Sequence, residues 1–152
     1  MAVSPNTAFT SGQILTAAQQ NNFPRGLMGY VVRSSGNVSL STSVADVTGA
    51  TITFTAAASR GYMISFNGTT NKTTDGYIEI QFTDASNNQY YNTLETHVNG
   101  GFGTLSVNFL LTTLTAGSTT IKVRASVSAG AGTIYASSGN TYSYAIHDLG
   151  PI

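Results

Sequence analysis

From Tyr30 onward, apolar and polar residues alternate with a period of two, the pattern of strands that bury one face and wet the other. Tyr30 and Val32 alternate with Val31 and Arg33, and Ile52 and Phe54 sit between Thr51, Thr53 and Thr55. Tyr62, Ile64 and Phe66 oppose Met63, Ser65 and Asn67, while Ile78, Ile80 and Phe82 oppose Glu79, Gln81 and Thr83. The spacing returns at Val107, Phe109 and Leu111, at Ile121, Val123, Ala125 and Val127, and at Tyr142, Tyr144 and Ile146. Turn-forming clusters separate these runs: Ser35-Gly36-Asn37, Asn67-Gly68, Ser86-Asn87-Asn88, Asn99-Gly100-Gly101, Ala116-Gly117-Ser118 and Ser138-Gly139-Asn140. Short strands at this spacing, with no helix between them, predict an all-β fold. Its form is an antiparallel jelly-roll-like β-sandwich of about eight strands over residues 30–152.

Residues 1–29 lack sustained alternation and read as an N-terminal arm. Thr16 and Gln19 have capping-box spacing ahead of Ala17, Ala18 and Gln20, which predicts one short helix at about 16–22. Pro24 disfavours helical geometry at Phe23 and limits that helix to about two turns, too short to stand alone in water. Phe9, Ile14, Leu15, Phe23 and Leu27 therefore need burial, either on the sandwich or on another chain.

Composition sharpens the β reading. Forty of the 152 residues are Thr or Ser and 16 are Gly. Six Lys and Arg balance six Asp and Glu, and charged residues make up 8% of the chain, against about 25% in an average soluble protein. That excludes electrostatic attraction to nucleic acid. It also leaves the wet strand faces short of charge, with Val31, Met63, Leu110 and Ala145 on faces that should be polar. A subunit interface explains such faces, since few like charges oppose the approach of identical copies. The chain has no Cys, hence no disulfide, thiol nucleophile or cysteine metal site. No apolar run approaches the roughly 18 residues of a membrane span, and the N-terminus does not read as a secretion signal.

Candidate chemistry is sparse. Gly-x-Ser-x-Gly, phosphate-loop and His-Glu-x-x-His motifs are absent, so neither an enzyme nor a cofactor is expected. Glu95 and His97 are two apart and share a strand face. With a third ligand such as His147 they could hold a metal, but a hydrogen-bonded pair is the expectation and no metal site is assigned. Tyr90 and Tyr91, set among Asn87, Asn88, Gln89 and Asn92, carry the aromatic and amide chemistry that binds sugars, and in a receptor-binding module the loops around them and around Gly100-Gly101-Phe102-Gly103 would touch host-surface polysaccharide. A hairpin capping the sandwich end is the structural alternative. Asn37, Asn67 and Asn71 begin glycosylation triplets, which carry little information in a chain this rich in Asn, Ser and Thr.

Three segments carry a family resemblance. Thr10-Ser11-Gly12-Gln13-Ile14-Leu15-Thr16-Ala17-Ala18-Gln19-Gln20-Asn21-Asn22, followed by Pro24-Arg25-Gly26 and Gly29-Tyr30, resembles the leader of small virion structural proteins of tailed bacteriophages and prophages. His147-Asp148-Leu149-Gly150-Pro151 is similar to the Asp-Ile-Gly-Pro tail of that group, with Leu149 in place of Ile. Asp46-Val47-Thr48-Gly49, Thr53-Phe54-Thr55 and Arg60-Gly61-Tyr62 look like its central strand pair. The resemblance implies a homotrimeric jelly-roll domain on the virion surface with the arm as anchor. It would be a capsid decoration or cement protein bound to the major capsid protein, or a short tail fibre or tail-tip protein bound to a tail protein and touching host-surface glycan. No catalytic residue, cofactor or membrane insertion is implied. The absence of repeats favours the capsid over a long fibre. In this reading Phe9, Ile14, Leu15, Phe23 and Leu27 anchor the arm, and Tyr90, Tyr91 and Phe102 are the candidate recognition residues.

Overall fold

The computed structural model describes residues 12, 14, 16–21, 23–98 and 101–152. The strands are β1 (Gly26–Arg33), β2 (Val38–Leu40), β3 (Ala45–Ala56), β4 (Arg60–Lys72), β5 (Gly76–Thr83), β6 (Gln89–His97), β7 (Phe102–Leu111), β8 (Gly117–Val127), β9 (Gly132–Ile134) and β10 (Tyr142–Pro151). Eight of them are long and form two antiparallel sheets. The first runs β1-β10-β4-β7 and the second β3-β8-β5-β6. Counting only the long strands in chain order, the sheets read 1-8-3-6 and 2-7-4-5, the double Greek-key connectivity of a jelly roll. The three-residue strands β2 and β9 extend the first sheet where Thr70, Asn71 and Lys72 run past the end of β10.

The two inner faces supply the core. Tyr62, Ile64 and Phe66 of β4 and Tyr142, Tyr144 and Ile146 of β10 are fully buried, as are Ile78, Ile80 and Phe82 of β5 facing them from the other sheet. Each contributes roughly 1.5 to 3 kcal/mol of apolar burial, which is why these strands keep one register. Tyr91 reaches in from the edge, its ring stacked 4.5 Å from that of Phe109 and 6.2 Å from that of Phe82. One end of the sandwich is closed by a charge: Lys72 is fully buried, and its Nζ donates to the carbonyls of Thr74, Asp75 and Ala129 and to the Thr74 hydroxyl.

The N-terminal region departs from expectation in three ways. The first strand begins at Gly26, ahead of the alternation that starts at Tyr30, and a bulge between Leu27 and Gly29 breaks its period of two. On β1 it is Val31 that faces the core, while Tyr30 and Val32 are exposed. The helix expected over residues 16–22 is reduced to one five-residue turn, Ala17–Asn21 (α1), and the fold itself is all β. Thr16 and Gln19 exchange the capping-box hydrogen bonds, at 2.9 and 3.2 Å, that start this turn.

Candidate functional site

Cross-strand register lines up the outward side chains of the first sheet in rows. At one end Leu27, His147, Met63 and Leu110 lie side by side across β1, β10, β4 and β7. The next rows are Tyr30, Ala145, Ser65 and Asn108, then Val32, Ser143, Asn67 and Ser106. Hydrogen bonds from Ser65 to Asn108 and from Ser106 to Asn67, both 2.7 Å, tie β4 to β7 across its middle. At the far end Phe102, 72% exposed, packs its ring 5.3 Å from that of Tyr135. None of these outward positions is Asp, Glu, Lys or Arg.

The outer face of the second sheet is the reverse. Asp46 accepts from Lys122 Nζ at 2.9 Å and Arg124 Nε at 3.0 Å, and Glu79 accepts from Gln81, Asn92 and Ser126. The Lys122 and Arg124 contacts hold the Asp46 carboxyl below its ordinary range, and the Gln81 amide does the same first for Glu79. The sandwich thus has one charged face and one uncharged, partly apolar face. Met63, Leu110 and Ala145, which the sequence marks as misplaced on wet faces, all fall on the uncharged one.

The arm joins the body at the apolar end of that face. Arg60, 4% exposed, donates from Nε and Nη2 to the Asp148 carboxylate at 2.7 and 2.8 Å, and from Nη2 to the carbonyl of Phe23 at 2.5 Å. Asp148 also accepts the Gly150 N–H at 2.8 Å. Gly150 holds φ +104°, and a Cβ there would lie 3.6 Å from Pro24, so the C-terminal strand curls against the arm exit. Arg60-Gly61-Tyr62, Pro24-Arg25-Gly26 and Asp148-Leu149-Gly150-Pro151, three separate stretches of sequence, meet at this single joint.

Of the proposed anchors, Phe9 and Leu15 lie outside the described residues, as do Asn99 and Gly100 of the glycine turn. Ile14 is 88% exposed, and Phe23 and Leu27 are exposed beside the joint. Tyr90 and Tyr91 do not form a common platform. Tyr91 belongs to the aromatic stack of the core, and Tyr90, part-buried, lines a shallow cleft of about 190 Å3 with Asp84, Ser86, Ser118, Thr119 and Thr120. Burial and the neighbouring Asp84 charge raise the Tyr90 hydroxyl above its ordinary pKa. Glu95 and His97 do share a face, but it points between the sheets toward Thr70, whereas His147 lies on the outer face of the first sheet.

No protein-family model matches the sequence, and no curated protein does. Among solved structures the chain is similar to the infectious bursal disease virus VP2 subviral particle, at 11% identity and a TM-score of 0.43, covering 99% of this chain and 47% of that one. It is similar to the enzymatically active domain of bacteriophage CBA120 tailspike protein 4, at 15% identity and a TM-score of 0.33, covering 74% of this chain and 19% of that one. It is also similar to a CBM4 structure, at 12% identity and a TM-score of 0.32, covering 80% and 92%. The chain spans about half or less of the two viral structures. At these scores the likenesses carry no functional argument.

Proposed function

We propose that this chain is a non-enzymatic virion structural protein of a tailed phage or prophage, a homotrimeric capsid decoration or cement protein anchored by its N-terminal arm to the major capsid protein. The observation that carries the reading is the uncharged sheet face with the arm joint at its apolar end. A face four strands wide and about 30 Å long presents roughly 600 Å2, close to the roughly 800 Å2 per partner of a standard interface. Copies meeting there bury Leu27, Tyr30, Val32 and Leu110 without desolvating a carboxylate or an ammonium, and the charged sheet stays in solvent. The joint fixes where each arm leaves, so a trimer presents three arms together, and their combined attachment far exceeds that of one.

The joint also sets how the arm should be removed. Phe23 and Pro24 belong to it, so deleting residues 1–22 leaves the body intact. The truncated chain should remain a trimer and fail to decorate particles from the source, scored by immunogold microscopy with antibody to residues 30–152. Decoration by the truncated chain would refute the anchor, and gold confined to the tail would refute the capsid placement.

The second reading, a short tail-fibre or tail-tip protein binding host glycan, is favoured by the exposed Phe102 ring on Tyr135 and by the hydroxyl-lined cleft at Tyr90. Glycan-array binding by the intact protein, lost in Phe102→Ala or Tyr90→Ala, would establish it.

A further inference from the structure

At the end of the sandwich where β6 faces β4 and β7, three polar side chains converge on one point. Thr70 Oγ1 lies 2.8 Å from Glu95 Oε2 and 3.3 Å from His97 Nε2, and His97 Nε2 lies 3.2 Å from Glu95 Oε2. Thr70 is fully buried and the His97 side chain is 3% exposed. The other ring nitrogen, His97 Nδ1, is 3.3 Å from the carbonyl of Gly101. A carbonyl only accepts, so Nδ1 carries the proton in that contact. A neutral ring then leaves a lone pair on Nε2, aimed at a carboxylate oxygen.

The three atoms share one proton of their own, that of the Thr70 hydroxyl. Donated to Glu95, it leaves Nε2 facing Oε2 lone pair to lone pair; donated to Nε2, it leaves the hydroxyl oxygen facing Oε2 in the same way. A further positive charge, either a proton on Nε2 or a metal ion in its place, must sit among them. The nearby ammonium of Lys72 does not supply it, being turned onto four oxygens of Thr74, Asp75 and Ala129.

The geometry points to a site for a divalent transition-metal ion of the zinc class, held by Thr70 Oγ1, Glu95 Oε2 and His97 Nε2. Ligand atoms about 3 Å apart, each about 2.1 Å from one ion, form the face of a coordination polyhedron, with the ion about 1 Å out of their plane. His97 has the orientation of a metal ligand, its remote N–H tied to a backbone carbonyl. Gly103 supplies room: a Cβ there would stand 2.6 Å from Glu95 Oε1, 2.8 Å from the His97 ring and 3.1 Å from Thr70 Oγ1. The ion would tie β6 of one sheet to β4 of the other, a cross-link in a chain without cysteine. Sequence spacing pairs Glu95 with His97 but cannot supply Thr70, 25 residues away.

The test titrates the full chain, stripped with chelator, with Zn2+ and with Co2+ at neutral pH. Calorimetry should give one ion per chain, and Co2+ should show the visible absorption of a low-coordinate site. Thr70→Val, which keeps the buried volume, and Glu95→Gln should each weaken binding at least tenfold, whereas His147→Gln should leave it unchanged. Nitrogen NMR on the wild-type chain reads the ring directly, independent of any variant's folding. Loss of neutral Nε2 character on adding Zn2+ supports the site. An imidazolium proton on Nε2 that Zn2+ does not displace identifies a histidine–glutamate ion pair and overturns the proposal, as does the absence of calorimetric binding.

Discussion

Arg60 and Asp148, 88 residues apart, form a bidentate ion pair buried between the start of β4 and the end of β10, and the same guanidinium holds the carbonyl of Phe23. Removing either partner strands a buried charge, so Arg60→Met and Asp148→Asn should each lower stability by about 3 to 5 kcal/mol, read from urea midpoints. The double variant should lose less than the two single losses together, because its second change no longer leaves a charge unpaired. Both single variants should also speed proteolysis N-terminal to Gly26. Unchanged cleavage there would mean that the joint does not hold the arm.

The two adjacent tyrosines should separate cleanly on mutation. Tyr91 stacks on Phe109 and Phe82, so Tyr91→Ala should cost about 3 to 5 kcal/mol of stability. Tyr90 sits at a register shift of β6, packed against the edge of the core with one side over an open cleft, and Tyr90→Ala should cost less, about 1 to 2 kcal/mol. Thermal denaturation of both variants checks this. Comparable losses would make Tyr90 as much a core residue as Tyr91 and remove it as a recognition residue.

Much of the sandwich is legible in the sequence because most long strands bury one face only. Ile78, Ile80 and Phe82 opposed to Glu79, Gln81 and Thr83 allow a single register. β1 is not legible in the same way. Tyr30, Val31 and Val32 are all apolar, so the period does not say which side is dry, and the bulge at Leu27 shifts the count. β2 and β9 are three residues each, formed by pairing with neighbours and not by local pattern. Lys72, read from sequence only as the middle of a glycosylation triplet, is a buried cation whose partners lie up to 57 residues away. The uncharged face is half legible: Met63, Leu110 and Ala145 are visibly out of place, but only cross-strand register puts them on one surface.

Stability should fall at acid pH, mainly through the second sheet and its adjoining turn. Lys122 holds Asp46 low, the Gln81 amide holds Glu79 low, and the Asn88 side chain holds Asp84 low. A carboxyl with a depressed folded pKa binds fewer protons folded than unfolded, so its contribution is complete above the ordinary range near pH 4 and disappears as pH falls through the folded value. Urea midpoints at constant protein concentration should be flat from pH 7 to about 5 and decline below about 4. Asp46→Asn should shallow that decline. A midpoint independent of pH down to 3 would contradict the assigned shifts.

Charge asymmetry gives the most direct test of assembly. Leu110→Glu places a carboxylate in the row of Leu27, His147 and Met63, where a facing copy would have to desolvate it unpaired. Leu110 is 44% exposed in the single chain, so the substitution should leave the fold and the monomer's stability nearly unchanged. Native mass analysis should then find the 15.8 kDa monomer where the wild-type chain gives a trimer. Thr55→Glu, an exposed position on the outer face of β3, adds the same charge to the opposite sheet and should leave the trimer intact. If Thr55→Glu dissociates the assembly and Leu110→Glu does not, the copies meet through the charged sheet. If both variants remain trimeric, the copies meet through neither sheet face, and the contact lies on the sheet edges or on the loops at the ends of the sandwich.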